Sequence, residues 1–460
     1  MLKNRSFVLP LSKMPNKWIN ILYTLPEALT PLVDPATSQP LPVEALLPLF
    51  AKSLIEQEIN TKDEFIDIPE EVQKVYSLYR PTPLIRATFL EEALQTPAKI
   101  YYKYEGVSPS GSHKANTSIP QAYYNKKEGI TKLATETGAG QWGSALSFAC
   151  NQFGLECLIF MVRASFEQKP YRKIMMQTYG GKVIPSPSDK TKIGKTLLED
   201  KLNYNGSLGI AISEAVEMAM ENNDTHYTLG SVLNHVLLHQ TIIGEESKIA
   251  LEEVGDYPDI VIACCGGGSN FGGIVIPFLK DNIVKGKKTQ FIAVEPTACP
   301  TLTKGKYAWD FGDTGKLIPP ALMYTLGHSF MPSPVHAGGL RYHGESPLVS
   351  YFYNKKMIDA VALQQIEVFE KAVLFAKTES IIPAPESSHA IATAINEALK
   401  CKETGEKKTI LFNLSGHGHF DMAAYESYFG GTLENYDHPE EKIEEALKHL
   451  PQINFGCGND

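Results

Sequence analysis

From Ile130 onward the chain alternates between short apolar runs and longer segments with helical spacing. KLATET, starting at Lys132, is strand-like, and QWGSALSFACNQF beyond it places apolar residues at helical intervals. LECLIFMV, starting at Leu155, is almost unbroken in its apolar character, as in a strand covered on both faces. QKPYRKIMMQTYG predicts a helix and GKVIPSP the next strand. The rhythm resumes with a helix over 237–254, strand DIVIACC, a glycine loop, another helix and strand FIAVEP. It closes with helix AIATAINEALK and strand TILFNLSG. Such alternation predicts an α/β fold of parallel sheets with helices on both faces. The polar run MENNDTHY, 220–227, separates two blocks and so predicts two sheets. The first seventy-odd residues break the pattern. Prolines recur through LPEALTPLVDPATSQPLPVEALLP, and one short helix is expected around 46–57. That segment reads as an extension packed on a core or a partner.

Composition narrows the partners. A chain of 460 residues is too long for one simple core, which agrees with two domains plus an added segment. The net charge of −9, with no sustained basic run, argues against nucleic acid or an anionic membrane. Seven cysteines, an odd number with no CxxC pair, argue against a disulfide framework or zinc cluster and fit a reducing cytosol. No apolar run is long enough to span a bilayer, and the first residues lack a signal-peptide core. A soluble, cytoplasmic protein is the expectation.

In open parallel sheets, ligands bind beyond the carboxyl ends of strands, so the strand-to-helix loops carry the chemistry. SPSGSHKANTS, 108–118, starts a helix near Lys114. A cation there is opposed by the helix dipole, which lowers its pKa as an imine-forming lysine requires; an ordinary solvated lysine is the alternative. ETGAGQWG, 136–143, offers consecutive backbone N–H groups at Gly138, Ala139 and Gly140 for a carboxylate or phosphate. Glu136 is either a general acid/base or a helix cap. CCGGGSNFGG, 264–273, is a phosphate loop, and Phe271 stands where a dinucleotide fingerprint needs its third glycine. FNLSGHGHFD, 412–421, ends a strand at Ser415; His417, His419 and Asp421 are a weak metal pattern without a fourth ligand, and no metal is assigned.

Taken in order, GSHKAN, ETGAGQ, CGGGSN and SGHGHFD resemble the tryptophan synthase beta chain family, pyridoxal phosphate (PLP) enzymes of fold type II. The resemblance runs from RPTPLIRA at Arg80 to Asp421. Length, the N-terminal extension, Trp142 and GGLRYHG resemble the second type of beta chain. The resemblance implies two parallel-sheet α/β domains with the cofactor between them: an extension over 1–78, an N-terminal domain over 113–235, and a C-terminal domain from 79–112 with 236–460. It implies a Schiff base on Lys114, which later moves the α-proton. His113, Gly266, Gly267, Gly268, Ser269 and Asn270 would hold the cofactor on its phosphate side, and Asn116 would also bind the cofactor. Ser415 would bond the pyridine nitrogen, and Glu379 would line the ring pocket. Thr137, Gly138, Ala139, Gly140, Gln141 and Trp142 would bind the substrate, chiefly its carboxylate through backbone N–H groups. Glu136 would accept the indole N–H and assist proton transfer. The reaction implied is β-replacement, in which indole adds through C3 to a serine-derived unit to give tryptophan. A homodimer and a monovalent cation are family expectations, and docking of an alpha chain is left open by the extension.

Two departures bear on substrate. Trp142 stands where common beta chains have histidine, which alters the pocket wall but leaves backbone N–H binding intact. HAGGLRYHG, 336–344, places Arg341 where the common form has an acidic residue near the serine hydroxyl. An arginine suits an anionic leaving group, so O-phospho-L-serine is the expected donor; pairing of Arg341 with a structural carboxylate is the alternative. A threonine or cysteine synthase relative, or a PLP-binding paralogue without turnover, are the competing readings.

Overall fold

The computed structural model describes residues 4–199 and 204–455. Its first sheet has four parallel strands in the order Lys182–Ser186, Glu156–Val162, Lys132–Thr137, Thr225–Tyr227. The apolar run 155–162 is covered on both sides. Ile159 and Met161 join the core with helices Ala115–Lys127 and Gln141–Phe153, while Phe160 and Val162 pack against helix Leu208–Met220. The period-two alternation of a strand thus sends neighbouring residues into different cores.

The run MENNDTHY, expected to separate two sheets, instead supplies a strand to the first one. Thr225 pairs with Lys132 and Tyr227 with Ala134. Tyr227 is fully buried. The polar residues 221–224 masked a strand whose alternate positions, Thr225 and Tyr227, both face inward.

The second sheet has seven strands, in the order Ser6–Phe7, Leu84–Arg86, Lys99–Tyr104, Thr409–Leu414, Ile260–Cys264, Gln290–Pro296, Asp359–Leu363. The first two are antiparallel additions to a parallel set of five. Ile260, Ile262, Ile410 and Phe412 face helix Pro385–Thr404, whereas Val261, Ala263 and Leu411 face helix Ser269–Lys285. The helix expected over 237–254 is two helices, Asn234–Gln240 and Ile242–Glu253. Thr241 lies between them, its hydroxyl donating to the Leu238 carbonyl at 2.7 Å and accepting the Ile19 N–H at 3.0 Å. An antiparallel hairpin, Lys306–Asp310 with Ala321–Thr325, adds an element that the apolar pattern did not announce.

The extension shares the main cores. Ser6–Phe7 extends the second sheet, and Trp18 is fully buried with its ring 4.6 Å from that of His239. Helix Lys52–Glu58 buries Leu54, Ile55 and Gln57. No helix among the described residues is long and apolar enough to cross a membrane.

Candidate active site

The carboxyl ends of strands Lys132–Thr137, Ile260–Cys264 and Thr409–Leu414 converge on a cleft of about 820 Å³. Lys114, Glu136, Ser269, Glu386 and Ser415 are among its lining residues. Lys114 caps helix Ala115–Lys127 and is half-buried. Its Nζ donates to the Gly230 carbonyl and, at 3.1 Å, to the Ser269 hydroxyl. Burial lowers its pKa to about 8, partly opposed by the nearby Glu136 carboxylate. The depression expected from the helix terminus therefore has desolvation as its main cause.

The glycine loop is packed closely against its neighbours. A Cβ on Gly266 would collide with the Gly339 carbonyl, and one on Gly268 would stand 2.7 Å from Glu345 Oε1. Gly268 also adopts φ +94°, which glycine allows at no steric cost. Helix Ser269–Lys285 starts directly after it, which sets the positive end of the helix dipole at the loop. Asn270 does not face the cleft alone. Its amide donates to the Cys264 carbonyl at 2.9 Å and its Oδ1 accepts from Asn413, which fastens the loop to two strands. His113 Nε2 lies 3.3 Å from the Ser269 hydroxyl, and burial holds this ring neutral, with its pKa lowered to about 3.

A second nest lies opposite. Thr137 ends its strand, Gly140 takes φ +95°, and helix Gln141–Phe153 begins there. The Thr137 hydroxyl accepts from the Gly143 N–H at 3.1 Å. Trp142 is buried, with its indole N–H donating to Thr135 at 2.6 Å and its ring packed over Gly230. Glu136 accepts from the Tyr227 hydroxyl at 2.7 Å. Burial raises its carboxyl pKa to about 7, against the pull of that hydrogen bond. On the third side, the Ser415 hydroxyl lies 2.7 Å from that of Ser387 and its carbonyl accepts the His113 N–H.

Three expected residues sit elsewhere. Glu379 does not line the pocket. It ends helix Gln365–Glu379, where its carboxylate pairs with Arg5 of the extension and accepts the Leu90 N–H at 3.0 Å. The acid in the cleft is Glu386, seven positions on in the same segment. It sits in the first turn of helix Pro385–Thr404, accepting from Gly339 N–H at 2.9 Å and from Gln141 Nε2 at 3.2 Å. Two glutamates flank the prolines of TESIIPAPES, and only the turn of the chain between them decides which faces inward. Asn116 points away from the cleft into a buried polar network, bonded to Arg80, Glu105 and Gln240. Arg341 lies beyond Gly138 and Gly338, in a smaller pocket with Ser165 and Ser207. Among the described residues it pairs with no carboxylate, and its buried Nε has no partner. Asp421 turns to Lys169 at 2.6 Å, and no group of three potential metal ligands occurs among the described residues. Tyr227, Gly230 and Ser387 were missed, because each acts through a contact distant in sequence.

An amine held near neutrality beside an anion cradle fits a cofactor bearing an aldehyde and a phosphate, as PLP does. Residues 75–416 match the family model described as pyridoxal-phosphate dependent enzyme. The chain is 61% identical over 433 residues to "Tryptophan synthase beta chain 2" of Aquifex aeolicus, covering 93% of this chain and 99% of that one. It is 59% identical over 433 residues to the protein of that name in Methanosarcina mazei, covering 94% and 98%. Its fold is similar to a fungal L-serine ammonia-lyase from Rhizomucor miehei, with TM-score 0.57, 16% identity, and 76% and 98% of the two chains covered. It is likewise similar to the processed threonine deaminase isoform 2 of Solanum lycopersicum, with TM-score 0.58, 16% identity, and 88% and 97% covered. The chain belongs to the tryptophan synthase beta chain family of pyridoxal-phosphate dependent enzymes.

Proposed function

We propose that this enzyme joins C3 of indole to the β-carbon of a serine-type donor to give tryptophan, with O-phospho-L-serine preferred to serine. PLP, when bound, supplies the electron sink that lets the donor's α-proton and β-substituent leave. Lys114 carries the cofactor and then moves the α-proton, a task suited to an amine whose pKa lies near the working pH. The N–H groups of 266–270 and the neutral His113 hold the phosphate. Those of 137–141 bind the donor carboxylate, with Trp142 as the wall behind them. Ser415 meets the pyridine nitrogen as a neutral hydroxyl, which leaves the ring less electron-poor than an acid would. Glu136 accepts the indole N–H and, with a pKa of about 7, gives or takes a proton at that nitrogen.

Arg341 carries the choice of donor. A half-buried guanidinium without a carboxylate partner among the described residues, in a chamber that shares Gly138, Leu208 and Gly338 with the cleft, suits a departing phosphate. The test is kcat/KM for the two donors with saturating indole. Phosphoserine is expected to lead by about tenfold or more. Equal values, or a lead for serine, would remove the donor assignment. No tryptophan from either donor would remove the reaction.

A further inference from the structure

Segment 229–234 touches both Lys114 and the glycine loop. Gly230 accepts from Lys114 Nζ, the Ser231 hydroxyl accepts the Ser269 N–H at 3.2 Å, and Val232 N–H donates to the Gly267 carbonyl at 2.9 Å. Val232 adopts φ +73°, a conformation that a β-branched residue takes only when its surroundings impose it. Both ends of the segment are bonded, directly or through a short relay, to the N-terminal extension.

Helix Asn234–Gln240 starts at the end of this segment, and its cap residue Leu233 offers no side-chain acceptor. Glu58 fills that role from the extension. Its two carboxylate oxygens accept the N–H groups of Asn234 at 2.8 Å and His235 at 2.9 Å, and one also bonds His235 Nδ1 at 2.7 Å. The Glu58 carbonyl accepts from the Asn234 amide at 3.0 Å. The other end of the segment is tied to the adjacent residue. Gln57 Oε1 bonds His239 Nε2 at 2.8 Å, and His239 Nδ1 bonds the Thr117 hydroxyl at 3.0 Å. Gln121 Nε2 then joins that hydroxyl at 2.9 Å to the Leu229 carbonyl at 3.0 Å. Burial keeps His239 neutral, so one ring nitrogen donates to Gln57 and the other accepts from Thr117. Thr117 is itself in the first turn after Lys114.

We propose that Gln57 and Glu58 are positioning residues for the reaction: they fasten both ends of segment 229–234 and so hold the Gly230 carbonyl against Lys114. This rests on the reading of Lys114 as the cofactor lysine. On this account the extension is part of the active-site scaffold, although neither residue touches the cleft.

The test uses the full-length chain and Glu58→Ala, with Glu58→Gln as the conservative variant that keeps one acceptor oxygen. Two quantities are followed: the rate at which cofactor-free protein captures PLP, read by borohydride trapping and mass spectrometry, and kcat against KM for indole. Glu58→Ala is expected to slow capture and lower kcat by about tenfold with KM for indole unchanged, and Glu58→Gln to recover most of both. A lowered melting temperature with native capture rate and kcat would overturn the proposal, leaving Glu58 a structural cap. Gln57→Met removes the other tether and answers the same question if Glu58→Ala does not fold. Trapping of PLP on a residue other than Lys114 in the native chain would overturn the Lys114 reading and this proposal with it, so the two failures are told apart.

Discussion

Tyr227 donates its hydroxyl hydrogen to Glu136 at 2.7 Å, from a position where its ring also lines an apolar chamber of about 880 Å³ behind the cleft. The bond favours the ionised carboxylate and opposes the effect of burial. Tyr227→Phe keeps the ring and removes the donor, so the Glu136 pKa should rise above about 7. The acid limb of the kcat–pH profile is then expected to move up by about one unit. A profile that stays in place, or moves down, would detach Glu136 from the limiting proton transfer.

Glu136 also makes stability depend on pH. Its folded pKa lies above the ordinary carboxylate value, so between about pH 4.3 and 7 the folded chain keeps a proton that the unfolded chain has released. Stability from this group is complete below that window and is lost as pH rises through it. Glu136→Gln should therefore stabilise the cofactor-free protein by roughly 3–4 kcal/mol at pH 8 and hardly at all near pH 4.5. Tryptophan formation should fall by about 10²-fold or more. Denaturant unfolding at the two pH values, beside an indole assay, measures both effects.

As the proposed cofactor lysine, Lys114 would capture PLP only as the free amine. With its pKa near 8, the capture rate of the cofactor-free protein should climb with pH and level off just above that value. Glu136→Gln should shift the midpoint down, because the carboxylate favours the charged amine. A midpoint near the usual lysine value would show that burial does not control this group.

Arg341→Ala removes a guanidinium that has no carboxylate partner among the described residues. It should lower kcat/KM for phosphoserine by about 10- to 100-fold, as expected for one charge-assisted hydrogen-bond partner, and leave that for serine nearly unchanged. Equal losses with both donors would point to a packing role.

Glu379 and Glu386 separate in the same way. Glu379→Gln breaks the contact with Arg5 and should lower the melting temperature while leaving kcat/KM for indole in place. Glu386→Gln should lower kcat/KM, since its carboxylate holds Gly339 and Gln141 at the cleft. The reverse pattern would restore Glu379 to the pocket.

Strands 132–137 and 156–162 and the helix between them were legible in the sequence because each is a local event. An apolar run buried on both faces needs no distant information, and a helix cap or glycine turn is decided within a few residues. The four chemistry-bearing loops were legible for the same reason. Their residue types suit anion binding whatever lies opposite, and Lys114 stood out as a lysine where a helix begins. What the local pattern lacked was direction. Glu379 and Glu386 are alike as sequence, and helix–turn geometry sends one to Arg5 and the other into the cleft. Arg341 carries two readings in the sequence, and only the fold shows that no carboxylate among the described residues pairs with it. Strand 225–227 lay behind a polar run, and its place beside Ala134 comes from pairing across ninety-odd residues. The depressed Lys114 amine, the raised Glu136 carboxyl and the hold of Glu58 on helix Asn234–Gln240 are tertiary properties. Burial and long-range hydrogen bonds exist only once separate segments meet, so residue type determined what chemistry was available and the fold decided where it acts.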